Sequence, residues 1–257
     1  MAHISVGGVS IHFEQEGSGP PVVLQHGLTD SIASWYEYGY VDALAPRYGL
    51  ILIDARGHGA SDKPHEPTAY AGSTLALDVV AVLDHLGIER ASYFGHSMGG
   101  AIGISLAHHA PDRIDALGIG ASPPDPTPSA TVDSFVPLLQ QGPAAMLSAW
   151  QQLGTLSPEM TERILAIDCE AIIALIQAER TRITRDVDAF HQLQGRYRFF
   201  MGDADWFLPD MLRAADKLEA GALVTIAGVN HLEFFQRSDL LVPHLTSFLD
   251  GRSLGHD

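Results

Sequence analysis

The sequence predicts an α/β fold, with a mostly parallel, twisted sheet of about eight strands flanked by helices and a small helical insertion. Short apolar runs alternate with stretches of helical periodicity, which is typical of parallel strands covered on both faces. A proline-rich break follows the sixth of these runs, and several short helical stretches come after it. Two further apolar runs then return, so the helical stretch interrupts one sheet.

The first two runs, Ile4–Val6 and Ser10–Glu14, are too close together for a crossover helix, so we expect an antiparallel hairpin at the sheet edge. The remaining predicted strands are Val22–Gln25, Leu50–Asp54, Ser92–Gly95, Ala116–Ile119, Tyr197–Met201 and Leu223–Ile226. Helical periodicity is strongest over Thr74–Leu86 and Met98–His109. One final helix is predicted from about Leu232 to Leu249.

The break begins at Ser122, where the chain reads Ser-Pro-Pro-Asp-Pro-Thr-Pro. Prolines at this density exclude both a helix and a central strand. Four or five short helical segments are expected after it, up to about Gln194, and one begins with Ser157 as N-cap and Pro158 at its first helical position. Because this stretch is too short for a core of its own, we predict a core of residues 1–121 and 196–257 with a helical cap, residues 122–195.

Composition excludes several classes of partner. The 257 residues include 15 Lys and Arg against 31 Asp and Glu, a net charge of −16. Such a surface repels phosphate backbones and anionic lipid, so neither nucleic acid nor membrane is an expected partner. No signal peptide and no apolar run of roughly 18 residues is recognised, which favours a cytoplasmic protein. A small-molecule substrate is expected, and the oligomeric state stays open between monomer and homodimer.

The single cysteine, Cys169, forbids an internal disulfide and a Cys-rich metal site. No metal and no cofactor is expected.

The sharpest motif is Gly95–Gly100, which reads Gly-His-Ser-Met-Gly-Gly between a predicted strand and a predicted helix. A strand that turns abruptly into a helix crowds the central residue, and glycines on either side tolerate that crowding. The turn presents the Ser97 hydroxyl at a helix N-terminus. A serine nucleophile also needs a base and two N–H donors for the oxyanion. The candidate donors are the backbone N–H groups of Met98 and of Leu28, in the loop after the third strand.

Together these residues make the chain resemble an α/β-hydrolase-fold serine hydrolase, esterase-like and with a small helical cap. The matching segments span nearly the whole chain and are His26-Gly27, Asp54–Ser61, the turn at Ser97, Gly202–Asp205 and Asn230-His231. The resemblance implies Ser97 as nucleophile, Asp205 as acid and His231 as general base. Asp203 and Asp125 are the alternative acids.

With these three residues we expect hydrolysis of a carboxylic ester or lactone through an acyl-enzyme. If most of the large apolar candidate wall residues named below line the pocket, its substrate is small to medium and largely apolar. A carbon–carbon bond hydrolase or a cofactor-free perhydrolase would use the same three residues. A catalytically silent ligand-binding protein on the same fold is an alternative from another class. Relatives that open epoxides or remove halide use an aspartate at the position of Ser97, which argues against those reactions.

The candidate pocket residues are chosen for position and size, and ordinary packing is their alternative role. They are Leu28, Trp35, Met98, Phe135, Met146, Trp150, Trp206 and Phe207. Three further histidines are expected to be structural. His26 is expected to brace its loop, His58 to be structural, and His96 to point away from the substrate and pack around the turn. Asp30-Ser31 is expected to cap the helix that carries Trp35.

Overall fold

A computed structural model describes residues 2–124, 130–179, 187–194 and 196–251. In these residues one sheet contains eight strands. They are β1 (Ala2–Val6), β2 (Val9–Glu16), β3 (Pro21–Gln25), β4 (Gly49–Ile53), β5 (Ala91–His96), β6 (Ile114–Gly120), β7 (Tyr197–Gly202) and β8 (Leu223–Ile226).

The helices of the described ranges connect and cover these strands. They are α1 (Ala33–Glu37), α2 (Tyr40–Leu44), α3 (Thr74–His85), α4 (Met98–His109), α5 (Ala130–Asp133), α6 (Phe135–Gln140), α7 (Pro143–Gln151), α8 (Pro158–Leu165), α9 (Cys169–Glu179), α10 (Asp188–His191), α11 (Leu208–Ala215), α12 (His231–Gln236) and α13 (Ser238–Leu249), with 3₁₀ turns at Pro67–Tyr70 and Pro111–Arg113. None of the described helices has both the length and the apolar character required to cross a bilayer.

The sheet has the order β1-β2-β4-β3-β5-β6-β7-β8. β1 and β2 form the expected antiparallel hairpin, β2 pairs antiparallel with β4, and the other neighbours are parallel. Val22, Val23 and Leu24 of β3 are all buried, as strands in a covered parallel sheet should be. The predicted α/β architecture is confirmed. Because β3, β5, β7 and β8 run in the same direction, the loops that follow them meet at one edge.

Six helices, α5 to α10, lie between β6 and β7 in the described residues, against the four or five expected. The extra element arises because α5 and α6 are separate short helices that meet at Ser134. The predicted cap of α8 is confirmed, since Ser157 Oγ accepts the Met160 N–H at 2.9 Å and Pro158 begins the helix. Apolar side chains of these helices form a cluster beside the main core. The division into core and cap stays a prediction.

The expectation of one final helix is wrong. Arg237 adopts φ −97° and ψ 61°, which interrupts the helical backbone between α12 and α13. α12 has its own start, because the Asn230 side chain accepts the N–H groups of Leu232 and Glu233 and the Glu233 carboxylate accepts the Asn230 N–H. This capping box fixes the position at which α12 begins.

Candidate active site

The chain turns from β5 into α4 at Ser97, whose backbone has φ 53° and ψ −110°. A positive φ is uncommon for a residue with a side chain. The flanking glycines are required by contact distances. A Cβ on Gly95 would lie 2.2 Å from the Gly99 carbonyl oxygen, and one on Gly99 would lie 2.1 Å from the Gln25 carbonyl oxygen. The glycines therefore let the turn pack directly against neighbouring backbone.

Three side chains from separate strand ends form a continuous hydrogen-bonded chain. Ser97 Oγ lies 3.0 Å from His231 Nε2, and His231 Nδ1 lies 2.8 Å from Asp205 Oδ2. Asp205 and His231 are each 3% exposed. A buried carboxylate on Nδ1 holds the imidazole with Nε2 facing the hydroxyl, which is the arrangement that a serine nucleophile and its base require.

The two aspartates after β7 have different partners. Asp205 Oδ1 accepts the Phe207 N–H at 2.8 Å, which leaves its other oxygen for His231. Asp203 is exposed and its Oδ1 accepts the Gly228 N–H at 2.8 Å. Of these two, only Asp205 reaches the imidazole. The third candidate acid, Asp125, lies outside the described residues.

Aromatic side chains contact the His231 ring. It is the first residue of α12, directly after the Asn230 cap. The Trp206 ring stacks on it with centroids 4.2 Å apart, and the Phe207 ring meets it edge-on at 5.5 Å. These contacts restrict rotation of the imidazole.

The candidate oxyanion donors flank Ser97. The Met98 N–H belongs to the first turn of α4, where N–H groups have no partner within the helix. A Cβ on Gly27 would lie 3.6 Å from the Ser97 Cβ, so the loop that carries Leu28 packs against the turn. In the described residues the Leu28 N–H makes no hydrogen bond.

His26 fixes the orientation of the same loop. The Ala55 N–H donates to His26 Nε2 at 3.1 Å, so the ring proton is on Nδ1 and donates to the Gly27 carbonyl oxygen at 2.8 Å. That carbonyl and the Leu28 N–H belong to one peptide unit. His26 thus orients the peptide whose N–H is the candidate oxyanion donor, and burial lowers its pKa so that the ring is neutral.

A second buried histidine braces the next peptide. His58 Nε2–H donates to the Leu28 carbonyl oxygen at 2.6 Å, and burial lowers the pKa of His58 to about 4. Nearby, Asp54 accepts the N–H groups of Ile32 and Ala60. The structure therefore places His26 and His58 as loop braces, which agrees with the roles expected for them.

His96 packs around the turn, but it also lines the cavity, so the expectation that it points away from the substrate is wrong. Its ring stacks on Phe235 with centroids 4.4 Å apart and an interplanar angle of 4°. Burial, with a smaller contribution from His231, lowers the pKa of His96 well below its usual value. The ring is therefore neutral.

Ser97 and His231 open into a cavity of about 150 Å³ whose walls are mainly apolar. Of the candidate pocket residues, six line it: Leu28, Met98, Phe135, Trp150, Trp206 and Phe207. No group of three His, Cys, Asp or Glu side chains in the described ranges is arranged to hold a metal ion.

Two candidate wall residues lie elsewhere, and their assignment to the pocket is corrected. Trp35 is fully buried in the main core, where its ring packs edge-on against Tyr40 and Phe235 at 5.1 and 4.8 Å. Met146 is fully buried in the cluster of the inserted helices. Each side chain lies on the face of its helix that packs against the protein interior.

Asp30 also differs from its expected role, because no side chain caps α1. Its carboxylate instead receives Arg163 Nε of α8 at 2.8 Å, and Arg163 also pairs with Glu37. Burial raises the pKa of Asp30 against the opposing effect of the Arg163 charge. Asp30 lines the cavity.

Sequence reasoning missed a polar group of lining residues, Tyr38, Met160 and Gln236. Gln236 ends the helix that His231 begins, and Met160 lies one turn before Ile164 on the buried face of α8. Gln236 lies four residues after Leu232, which also lines the cavity, so the two share one face of α12. Nothing in the sequence indicated that these three segments meet.

Comparisons with known proteins give a family match. A family model described as the alpha/beta hydrolase fold matches residues 20–154. A protein assigned by name as carbamate hydrolase RutD, from Azorhizobium caulinodans, is 30% identical over 227 residues, covering 84% of this chain and 80% of that protein. Epoxide hydrolase 3 of Siraitia grosvenorii is 36% identical over 115 residues, covering 44% of this chain and 36% of its own length. The aligned part is thus little more than a third of that relative.

Solved structures share the fold over almost the entire chain. An enol-lactonase from Burkholderia xenovorans LB400 has a TM-score of 0.80 at 23% identity and covers 97% of this chain and 100% of its own. A thermophilic esterase from Thermogutta terrifontis has a TM-score of 0.80 at 20% identity and covers 98% of this chain and 99% of its own. At these identities the likeness concerns the fold.

Proposed function

The chain belongs to the α/β-hydrolase-fold family, and from this premise we propose that it is a serine hydrolase acting on a small to medium, largely apolar carboxylic ester or lactone. One observation carries the proposal. The hydrogen-bonded chain from Ser97 through His231 to Asp205 opens at its serine end into an apolar cavity. An apolar cavity with a few convergent polar groups is the usual form of a small-molecule site.

In the first half of the reaction, His231 Nε2 takes the proton of the Ser97 hydroxyl as Oγ attacks the substrate carbonyl carbon. The carbonyl electron pair moves to oxygen, and the N–H groups of Leu28 and Met98 stabilise the resulting oxyanion. Asp205 holds the imidazole in the correct tautomer and stabilises its charged form. The tetrahedral intermediate collapses when the carbon–oxygen bond to the alcohol breaks and His231 protonates that alcohol.

The second half releases the acid. His231 Nε2 takes a proton from water, whose oxygen attacks the acyl carbon of the Ser97 ester. The same two N–H groups stabilise the second oxyanion. His231 then returns the proton to Ser97 Oγ as the acyl bond breaks, which restores the enzyme. With a lactone, the leaving alcohol stays attached to the acyl group, and the product is a hydroxy acid.

The names of the relatives bear on the substrate to different degrees. An enol-lactonase and an esterase share the fold, and both cleave acyl–oxygen bonds. The epoxide hydrolase names are not carried over, because the family resemblance implies an aspartate nucleophile for that reaction and this chain has Ser97. The apolar lining of the cavity supports an acyl or alcohol part of small to medium size.

The test is hydrolysis of 4-nitrophenyl esters of increasing acyl length and of simple lactones. We expect Ser97→Ala to lower kcat by about 10⁴-fold or more, as removal of a serine nucleophile does elsewhere. Ser105→Ala is the matched control, because Ser105 is a buried serine on α4, the helix that Ser97 precedes, and it does not line the cavity. A fluorophosphonate should label the wild-type protein at Ser97. Unchanged hydrolysis in Ser97→Ala would contradict the proposal.

A further inference from the structure

One corner of the cavity is polar, and three side chains form it. They are Tyr38 at the C-terminal end of α1, Met160 in α8 and Gln236 at the end of α12, and all three line the cavity that contains Ser97. We call this group the polar corner. None of its members has a role in the proposed chemistry.

The Tyr38 hydroxyl proton is directed toward the sulfur of Met160. Arg163 Nη2 lies 3.4 Å from the Tyr38 oxygen, and a guanidinium has no acceptor atom, so that contact uses a lone pair of the hydroxyl. The hydroxyl proton therefore points elsewhere, and its acceptor is Met160 Sδ at 3.3 Å. The guanidinium is held in this position by the carboxylates of Asp30 and Glu37.

The Gln236 amide converges on the same sulfur. Gln236 Nε2 lies 3.7 Å from Met160 Sδ and 3.3 Å from the Thr155 carbonyl oxygen. Two donors from different helices are thus directed at one thioether, which is a weak acceptor. Both donors are partly buried, and a partly buried donor with a weak partner gains when a stronger acceptor replaces it. Met160 is unbranched and has several rotatable bonds, so its sulfur can move aside.

We infer that the polar corner is a substrate subsite for a neutral acceptor oxygen, such as an ether, hydroxyl or carbonyl group, on a part of the substrate other than the ester. The oxygen takes the place of Met160 Sδ and accepts from Tyr38 and Gln236. It is neutral because two carboxylates, Asp30 and Glu37, surround the single guanidinium of Arg163 and repel an anion. This inference rests on the proposed function and narrows its substrate to an oxygen-substituted ester or lactone.

The test uses ethyl esters in matched sets, and their hydrolysis is measured as the release of acid at constant pH. Within each set the terminal ethyl group of the acyl chain is replaced by methoxy, hydroxymethyl or carboxylate, and the set is repeated along increasing chain lengths. A parallel series carries the same groups on the alcohol. At the length that reaches the polar corner, we expect kcat/KM for methoxy or hydroxymethyl to exceed that for ethyl about tenfold, as one added hydrogen bond allows.

Variants of Tyr38 and Gln236 test whether these residues donate hydrogen bonds to the substrate oxygen. Tyr38→Phe and Gln236→Leu should each lower the oxygen-to-ethyl ratio of kcat/KM several-fold. Tyr36→Phe is the matched control and should leave the ratio unchanged, because Tyr36 is a tyrosine of the same helix that is 39% exposed and donates to Glu14 and Glu16. Retention of the ratio in both Tyr38→Phe and Gln236→Leu would overturn the inference.

Two other results also overturn it: no preference for oxygen at any chain length in either series, or a preference for carboxylate. Both leave the proposed hydrolase standing, since esters are still cleaved. Failure of the proposed function looks different. In that case no ester is hydrolysed and a fluorophosphonate does not label Ser97, which overturns both.

Discussion

Asp205 Oδ2 lies 2.8 Å from His231 Nδ1, and the same carboxylate is held from its other oxygen by the Phe207 N–H. Its neighbour Asp203 is instead bound to the Gly228 N–H at the surface. The turn after β7 thus gives two aspartates, two residues apart, entirely different surroundings.

Exchange of each aspartate for asparagine should separate their roles. Asp205→Asn should lower kcat for ester hydrolysis by about 10⁴-fold, because an amide stabilises the wrong imidazole tautomer and no positive charge. Asp203→Asn should change kcat less than about threefold, because an amide oxygen can still accept the Gly228 N–H. Steady-state kinetics on one ester measure kcat for both variants. Equal losses of kcat in the two variants would contradict the assignment of Asp205 as the acid.

The packing of the turn at Ser97 predicts a steric limit at Gly99. Gly99→Ala would place a Cβ 2.1 Å from the Gln25 carbonyl oxygen, so backbone must move. We expect the free energy of unfolding to fall by about 2 kcal/mol or more, and hydrolysis to be lost with it. Gly154→Ala is the control, because its Cβ would meet only the end of the Leu232 side chain, at 3.3 Å. Urea unfolding measures the stability of the two variants, and a Gly99→Ala protein of normal stability would refute the steric argument.

Burial of neutral His58 predicts a loss of stability in acid. Its pKa is lowered to about 4 in the folded protein, whereas the unfolded chain titrates near 6.5. Below about pH 6.5 the unfolded state takes up the proton first, so the free energy of unfolding falls as the pH drops toward about 4. Above about pH 6.5 the His58 ring is neutral in both the folded and the unfolded state, so it does not lower the free energy of unfolding. At about pH 5 the loss from this ring should reach about 2 kcal/mol.

His58→Gln tests that contribution, because a glutamine amide can still donate to the Leu28 carbonyl oxygen and does not titrate. His26 and Asp54 contribute to the shift of His58, so the comparison reports His58 together with its coupling to these neighbours. Urea unfolding of both proteins at about pH 7.5 and about pH 5 gives the result. The wild type should lose about 2 kcal/mol more than the variant, and parallel losses would show that His58 is not the group responsible.

The ion pairs of Arg163 predict a large effect on stability. Arg163 is 13% exposed and lies between Asp30 and Glu37. Arg163→Met should lower the free energy of unfolding by about 3 kcal/mol, because it leaves two poorly solvated carboxylates without their cation. Arg213→Met, which removes an exposed pair with Asp210, should cost less than about 1 kcal/mol. Thermal or urea unfolding compares them, and similar small losses would mean that solvent screens the Arg163 pairs.

The parts of the fold that sequence predicts well depend on local patterns. The Gly95–Gly100 turn was identifiable because glycine spacing has a steric cause within the turn itself. The strands were identifiable because burial on both faces requires continuous apolar runs. The break between α12 and α13 was missed, because arginine favours helices and so does not indicate that a helix ends at Arg237.

The parts that failed depend on distant packing. Size and position suggested Trp35 and Met146 as pocket walls. Size and position do not show which face of a helix packs against the sheet or into the cluster of inserted helices, and both residues lie on those packed faces. The choice between Asp203 and Asp205 rested on resemblance, since both follow β7. The polar corner joins Tyr38 to Met160 across 122 residues and Met160 to Gln236 across 76. No local pattern predicts such a meeting.

The distribution of the proposed nucleophile, acid and base over the ends of β5, β7 and β8 has a consequence for biosynthesis. The serine is made first, the carboxylate only after the inserted helices, and the imidazole last, as the first residue of α12. A nascent chain therefore has no general base at Ser97 until β8 has joined the edge of the sheet. During refolding, return of hydrolysis should accordingly mark completion of the sheet, later than the recovery of helical signal, since non-local pairings form slowly.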